Sequence, residues 1–266
     1  AIFKAPATGA IFALEVPYRD DMARRMLLPA LVASASGYLT FVTLSDTTPL
    51  LSFGTFSVQG FELIDLLGAL VVGATCAIGA RVLAKAIRAG KVFALRAAPV
   101  RLMISSAALT SLFFISRELT GMPLSLGTGY EVFRDWLFVE SDIAVWVLMA
   151  MFVIRCSAAA FTVAGGGVGG VFVPVVVAGG ITGRGIAEVI HPDRVALYTG
   201  LGVAAFLGAG YRVPLAAVMF VAETTGTPGF VVPALFASVA AELVMGEQSI
   251  TAFQRRPGTE RHATSD

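Results

Sequence analysis

Long apolar runs follow one another along the chain, with short polar breaks between them. Because a helix needs about 20 apolar residues to cross a bilayer, runs of this kind predict membrane-spanning helices. Several runs in the second half are shortened or interrupted by glycine and proline. Broken helices are tolerated at membrane depth only where they line a cavity or pack inside protein. The runs cover residues 1–16, 27–45, 61–80, 97–116, 143–163, 171–190, 196–210, 211–223 and 229–245.

The composition also favours a bilayer over water as the surrounding solvent. The 266 residues are 56% hydrophobic and only 14% charged, whereas soluble domains carry about 25% charged residues. The net charge of +1 gives no reason to expect a nucleic-acid partner. Cys76 and Cys156 lie in separate apolar runs, so we expect buried structural thiols and neither a disulfide framework nor a metal site. These features predict an all-α, polytopic membrane protein.

Basic residues indicate how the spans are oriented. The segment 81–101 has no acid and carries six basic residues, which favours the cytoplasmic side. They are Arg81, Lys85, Arg88, Lys91, Arg96 and Arg101. By the same reasoning the segments 45–60 and 117–142 lie outside, and the polar tail 254–266 lies inside. We therefore predict an integral, multi-pass membrane protein with a cytoplasmic C-terminus.

Two segments share one pattern. "FKAPATGAIFALE" (3–15) and "YRVPLAAVMFVAE" (211–223) align without a gap, with a basic residue and proline at the start and glutamate at the end. Proline is favoured in the first turn of a helix, so two independent helix starts would explain part of the match. The shared spacing favours an internal duplication. Since the charge pattern places Glu15 near the cytoplasmic face and Glu223 near the outer face, we predict an inverted-topology repeat.

The repeat also predicts how the chain is divided. Residues 1–60 would end the first inverted repeat, 61–253 would form the second, and 254–266 would be a cytoplasmic tail. The glycine turn at 165–174 precedes Tyr211 by about forty residues. Its counterpart in the first copy would therefore precede residue 1. Because the chain also starts without Met or a charged leader, we expect the first repeat to be truncated at its N-terminus.

The glycine turn "GGGVGGVFVP" (165–174) offers candidate chemistry. Glycines followed by Pro174 and an apolar run predict a helix that begins at a break within a buried span. A phosphate-binding loop would need Lys-Ser/Thr after its last glycine, and a dinucleotide turn would need a soluble strand–turn–helix unit. Neither is present. Close helix packing through small residues is the simpler alternative.

A helix N-terminus at such a break would suit a small anion. Its free amides carry about half a unit of positive charge and must find a partner in hydrocarbon. The turn itself contains no lysine or arginine, and weak binding is what permits passage through a pore. We therefore expect a small monovalent anion such as a halide as ligand.

These elements resemble the CLC family of chloride channels and chloride/proton antiporters. "GGVFVP" (169–174) is similar to the family's glycine-x-Phe-x-Pro element, and "YRVPLAAVMFVAETTG" (211–226) and residues 3–15 are similar to its other repeated elements. The resemblance implies a homodimer with one pore per subunit, each pore built from two inverted halves. The anion would be bound by backbone amides of Gly170, Val171, Phe172 and Val173. The family's serine-bearing turn and glutamate gate would lie before residue 1.

Two positions depart from the family pattern. The tyrosine that closes the inner mouth in many members corresponds to Ile250, which has no hydroxyl. Antiporters often carry an acid on the inner proton pathway, where this chain has Val16; Glu15 matches the acid just before it. Val16 favours a channel, and an antiporter with another proton route is the alternative.

Two other classes of function compete with anion permeation. A carrier of a neutral or organic solute would want hydrogen-bonding side chains near the break, and residues 165–181 offer none. A membrane scaffold would use the glycines for helix packing only. The sequence contains no nucleophile–base pair and no cofactor motif, so we expect no enzyme activity, cofactor or metal. The expected partners are chloride or a similar halide, the lipid bilayer and a second copy of the chain.

Overall fold

The computed structural model describes residues 3–18, 22–44, 61–139, 142–251 and 254. The predicted outer segment 45–60 and most of the predicted tail 254–266 lie outside the described residues. The fold is all-α, as predicted. The α-helices of the described residues are α1 (Pro6–Glu15), α2 (Leu27–Leu44), α3 (Leu63–Phe93), α4 (Ala98–Thr120), α5 (Val145–Ala164), α6 (Phe172–Ile190), α7 (Val195–Tyr211), α8 (Pro214–Thr225) and α9 (Val231–Met245).

Five described helical segments are long and apolar enough to cross a bilayer. They are Arg24–Leu44, Leu63–Phe93, Ala98–Thr120, Val145–Ala164 and Phe172–Ile190. The helices α1 and α8 have 10 and 12 residues, which makes them about 15 and 18 Å long. Since the hydrocarbon layer is about 30 Å thick, neither can cross it alone. The mixture of long and short helices agrees with the predicted architecture of broken spans.

Helix α7 lies at the centre of the fold. Every residue from Ala196 to Tyr211 is buried, as expected for a helix that is apolar on all sides. Helix α6 packs across α7 at a point where both helices have glycines. The carbonyl oxygen of Gly202 lies only 2.4 Å from where a Cβ on Gly179 would be. Small residues allow backbones to approach this closely in membrane proteins. The crossing fixes the direction of α6 and therefore the position of its first turn.

Helix α3 is longer than its predicted apolar run and continues through the basic residues to Phe93. Arg81 donates to the carbonyl oxygens of Val244 and Met245 at the end of α9. Arg88 donates to the carbonyl oxygen of Ser249, with an N–O distance of 3.1 Å. The Arg81 bonds satisfy free carbonyls at the C-terminus of α9, and the Arg88 bond satisfies a carbonyl in the segment that follows it. The basic end of α3 and the end of α9 therefore lie on the same side of the molecule.

The two copies of the repeated motif form an antiparallel pair. The carboxylate of Glu15, at the end of α1, accepts hydrogen bonds from amides at the start of α8. The carboxylate of Glu223, near the end of α8, accepts hydrogen bonds from amides at the start of α1. Equivalent residues thus make equivalent contacts in opposite directions, which confirms the inverted relation predicted from the sequence.

Candidate functional site

The predicted anion-binding residues lie where α6 begins. Helix α5 ends at Ala164, a turn of glycines follows, and α6 starts at Phe172 with Val171 as its N-cap residue. The amide of Val175 donates to the carbonyl oxygen of Val171 and closes the first helical turn. Pro174 has no N–H to place in that turn. The helix therefore begins within one residue of the predicted position.

The amides at the start of this first turn have no protein acceptor among the described residues. Within the described part of the chain, the N–H groups of Val171, Phe172 and Val173 donate to no protein oxygen. A Cβ added at Gly169 or Gly170 would meet no described atom within 4 Å. Every helix N-terminus leaves amides without intrahelical partners, and here these free donors directly follow two glycines with open space beside them. An anion is the ligand that these donors and the helix dipole favour.

The first three glycines of the turn have a different role. A Cβ at Gly165 would lie 3.1 Å from the Cβ of Ser105, and one at Gly167 would lie 2.8 Å from Thr162. Gly166 has a φ of +88°, a conformation that favours glycine. Residues 165–167 are therefore glycines for packing and backbone geometry, whereas Gly169 and Gly170 are not constrained by neighbouring described atoms.

Arg101 of α4 lies against this turn, and the sequence did not reveal it. The Cζ atom of Arg101 is 3.1 Å from where a Cβ on Gly166 would be, and its Nη1 donates to the carbonyl oxygen of Ala94 at 2.7 Å. The turn contains no charged residue of its own, yet the fold supplies one from another helix. The signal available in the sequence was the basic segment 81–101, which ends at Arg101.

An aromatic cluster surrounds the first residue of α6. We define it as Phe3, Phe12, Phe172, Tyr211 and Phe220. The ring of Phe172 lies 5.0 Å from Phe3, 5.7 Å from Phe12, 5.4 Å from Phe220 and 6.3 Å from Tyr211 between centroids. Two of these pairs, those with Phe12 and Phe220, meet edge to face, which is a favourable arrangement for aromatic rings. The rings that the repeated motif contributes from both copies thus converge on one residue of the candidate site.

Tyr130 extends this cluster from the loop that follows α4. Its ring packs edge to face on Phe3 at 6.3 Å. Burial, and to a smaller extent the neighbouring Glu131 carboxylate, raises the pKa of Tyr130 above its ordinary value. A tyrosine phenol is protonated at neutral pH even with its ordinary pKa, so the Tyr130 hydroxyl can act as a hydrogen-bond donor.

Ile250, the predicted inner-gate position, is buried next to the start of α6. Its amide donates to the carbonyl oxygen of Gly210 at 2.9 Å. A Cβ added at Gly210 would lie 3.0 Å from the Cδ1 atom of Ile250 and 3.7 Å from the Cγ1 atom of Val175. Hydroxyl groups are present on either side of it. Ser249 donates to Gly210, and the hydroxyls of Ser249 and Thr251 lie 2.7 Å apart. The position therefore presents an apolar side chain, with the adjacent hydroxyls bonded to protein.

Glu15 and Val16, the predicted proton-pathway positions, lie at the end of α1. Glu15 is buried, with 6% of its surface exposed, and its carboxylate is bonded to the start of α8. The carbonyl oxygen of Val16 accepts a hydrogen bond from Gln254, which also donates to the carbonyl oxygen of Tyr211. Gln254 thus joins the ends of α1 and α7, a connection that the sequence did not indicate.

The arrangement of these elements is that of a known family. The sequence matches the voltage-gated chloride channel family over residues 1–246, which is nearly the whole chain. The chain belongs to the CLC family of voltage-gated chloride channels. The resemblance drawn from the glycine turn and the two repeated segments is confirmed. As a CLC protein with several apolar helices of spanning length, it is an integral, multi-pass membrane protein.

Solved CLC structures share its fold. A CLC-type fluoride/proton antiporter superposes with a TM-score of 0.80 at 20% identity, covering 96% of this chain and 62% of that one. A slow cyanobacterial chloride/proton antiporter gives a TM-score of 0.75 at 19% identity, covering 91% of this chain and 57% of that one. An uncharacterised protein of Methanocaldococcus jannaschii is 27% identical over 243 residues. The match covers 89% of this chain and 58% of that protein, so this CLC chain spans about three fifths of the length of these relatives.

Proposed function

We propose that this chain carries the anion-binding half of a transmembrane pathway for chloride or a similar small monovalent anion. The observation that carries the proposal is the start of α6. There the amides of Val171, Phe172 and Val173 have no protein acceptor among the described residues, and they lie at the N-terminus of an apolar helix. Membership of the CLC family supports the same function.

The charges near these amides suit weak and reversible binding. The helix N-terminus supplies about half a unit of positive charge, and Arg101 adds a full charge beside the packed part of the turn. Arg101 lies against Gly166, and three residues separate Gly166 from Gly170. Its charge can therefore attract an anion toward the turn, while the donors that bind the anion are the backbone amides of α6. Attraction at the entrance combined with partial charges at the site favours both entry and release.

The competing functions are less well supported by the geometry. A scaffold that used its glycines for packing only would account for Gly165, Gly166 and Gly167, but not for Gly169 and Gly170, which touch no described neighbour. A carrier of a neutral solute would present several side-chain donors and acceptors, whereas the four rings that contact Phe172 carry one phenol, that of Tyr211. The aliphatic and aromatic wall therefore favours a ligand bound by the backbone.

Within anion transport we propose a channel, with Glu15 and Val16 at the inner proton-pathway position and Ile250 at the inner gate. Val16 has no ionisable group, and Glu15 is engaged by the amides of α8. The second candidate is proton-coupled exchange by another route, and its support is that both solved relatives named above are described as antiporters. We also propose a homodimer with its C-terminus in the cytoplasm, and the repeat boundaries 1–60 and 61–253.

Liposomes that contain the full-length protein test the function and separate the two candidates. We expect an outward chloride gradient to drive chloride efflux in the presence of a potassium ionophore. Protein-free liposomes should release no chloride under the same conditions. Fluoride, bromide and sulfate in parallel give the selectivity, and divalent sulfate should be excluded. The internal pH should not change under a chloride gradient. Proton movement against its own gradient, at a fixed ratio to chloride, would show that the protein is an antiporter.

A further inference from the structure

The two glutamates that end the repeated motif have a role that goes beyond closing two helices. We propose that Glu15 and Glu223 are positioning residues of the anion site, because they hold α1 and α8 in the register that places the aromatic cluster around Phe172. The inference rests on the proposed function, since it assigns these residues a task at that site.

The hydrogen bonds of the two carboxylates are equivalent. Glu15 accepts from the amides of Leu215 at 3.3 Å and Ala216 at 2.8 Å. Glu223 accepts from the amides of Ala7 at 2.9 Å and Thr8 at 2.7 Å, and also from the Thr8 hydroxyl at 2.6 Å. In each helix the two donors are the second and third residues, directly after the proline that starts the helix.

Each carboxylate occupies a helix N-terminus, the position that a bound anion would otherwise take. Negative charge is favourable at a helix N-terminus, and hydrogen bonds to an ionised acceptor are about twice as strong as neutral ones. Neither α1 nor α8 has a side-chain cap from its own N-cap residue. Two short helices therefore receive their N-terminal partners from each other, and sliding one along the other would break both sets of bonds.

This register determines where four aromatic rings lie. Helix α1 carries Phe12 and is preceded by Phe3, and helix α8 carries Phe220 and is preceded by Tyr211. All four rings contact Phe172. Phe3 and Phe220 also contact each other, as do Phe12 and Tyr211. The hydrogen bonds of Glu15 and Glu223 thus hold in place the four rings that surround Phe172, the first residue of α6.

The same bonds distinguish α6 from the helices beside it. Three helices with proline in the first turn begin near the aromatic cluster: α1, α8 and α6. The amides of the first two are occupied by Glu223 and Glu15. Those at the start of α6 donate to no oxygen among the described residues. A mobile anion therefore meets free donors at α6, while two neighbouring helix N-termini are closed to it.

Glutamine variants test the proposal in the full-length protein. Glu15→Gln and Glu223→Gln keep the side-chain shape and remove the charge. We expect each to lower the apparent affinity for chloride about tenfold, which corresponds to about 1.4 kcal/mol, with a smaller change in the maximal flux. The ¹⁹F resonance of 4-fluorophenylalanine incorporated at position 172 should shift, because the surrounding rings move.

Glu188→Gln is the matched control. Glu188 lies near the far end of α6 and forms an ion pair with buried Arg184 at an N–O distance of 2.6 Å. We expect removal of this ion pair to lower stability and to leave the aromatic cluster at the start of α6 unchanged. We expect unchanged chloride affinity and an unchanged ¹⁹F resonance. If Glu223→Gln does not fold, Glu223→Asp, which keeps the charge but shortens the reach, should move both readouts in the same direction.

The possible outcomes separate the inference from the proposed function. A wild-type protein that carries chloride, together with glutamine variants that change neither affinity nor resonance, would overturn the positioning role. If the wild type carries no chloride, the proposed function fails. The ¹⁹F resonance then decides alone: a shift in Glu15→Gln and Glu223→Gln but not in Glu188→Gln supports the positioning role, and no shift overturns it.

Discussion

Replacing Val171 with aspartate is expected to reduce chloride flux by two to three orders of magnitude while leaving the protein folded. Val171 is the N-cap residue of α6 and is half-buried. A carboxylate there would compete for the free amides of α6 and repel the anion. Two like charges about 4 Å apart repel by about 4 kcal/mol at an effective dielectric constant near 20, which is roughly a thousandfold in occupancy. Chloride efflux from liposomes measures the effect.

Two other substitutions at the same position separate charge from size. Val171→Asn has nearly the shape of the aspartate without its charge, and Val171→Leu adds no polar group. We expect the asparagine variant to retain much of the flux and the leucine variant to resemble the wild type. An aspartate variant with normal flux would show that anions do not pass the start of α6. Equal loss in the aspartate and asparagine variants would point to occupied amides rather than to charge.

Replacing Gly183 with alanine is expected to destabilise the protein strongly. A Cβ on Gly183 would lie 2.1 Å from the carbonyl oxygen of Tyr198 in α7. A backbone atom cannot move aside as the end of a side chain can, so α6 and α7 would have to separate. Overpacking of a core costs about 1–3 kcal/mol and sometimes more. Thermal unfolding of the detergent-solubilised protein should show a lower midpoint and reduced recovery of folded protein.

Gly185 provides the matched control for this substitution. It lies two residues further along the same helix, and the nearest atom to a Cβ there is 3.9 Å away, on Leu148. Alanine stabilises a helix by up to about 1 kcal/mol relative to glycine. We therefore expect Gly185→Ala to leave the unfolding midpoint unchanged or slightly higher. Equal behaviour of the two variants would contradict the close crossing of α6 and α7.

The start of α6 was predictable because the signals that determine it are local. Glycines, Pro174 and a following apolar run are contiguous in the sequence, and the helix begins at Phe172 as this pattern predicts. The repeat was also detectable, since its proline and glutamate recur at fixed spacing. In both cases the physical cause, such as a missing N–H at proline, acts within a few residues.

The parts that could not be predicted depend on contacts between distant segments. The basic end of α3 is held by bonds from Arg81 and Arg88 to carbonyl oxygens at or just after the end of α9, more than 150 residues later in the chain. Arg101 reaches the glycine turn only because α4 packs against it. The sequence showed that Glu15 and Glu223 occupy equivalent positions in the repeated motif. It did not show that each carboxylate bonds to the first turn of the other helix, because that requires the antiparallel packing of α1 and α8. Periodicity and spacing carry no information on which segments meet.

Anomalous scattering from bromide tests most directly whether the start of α6 binds an anion. Crystals of the full-length protein grown or soaked in bromide should show an anomalous peak within hydrogen-bonding distance of the amide nitrogens of Phe172 and Val173. The peak should be lost in Val171→Asp. Bromide bound elsewhere with none at these amides, or the same amides bonded to protein oxygens, would contradict the assignment of the anion site.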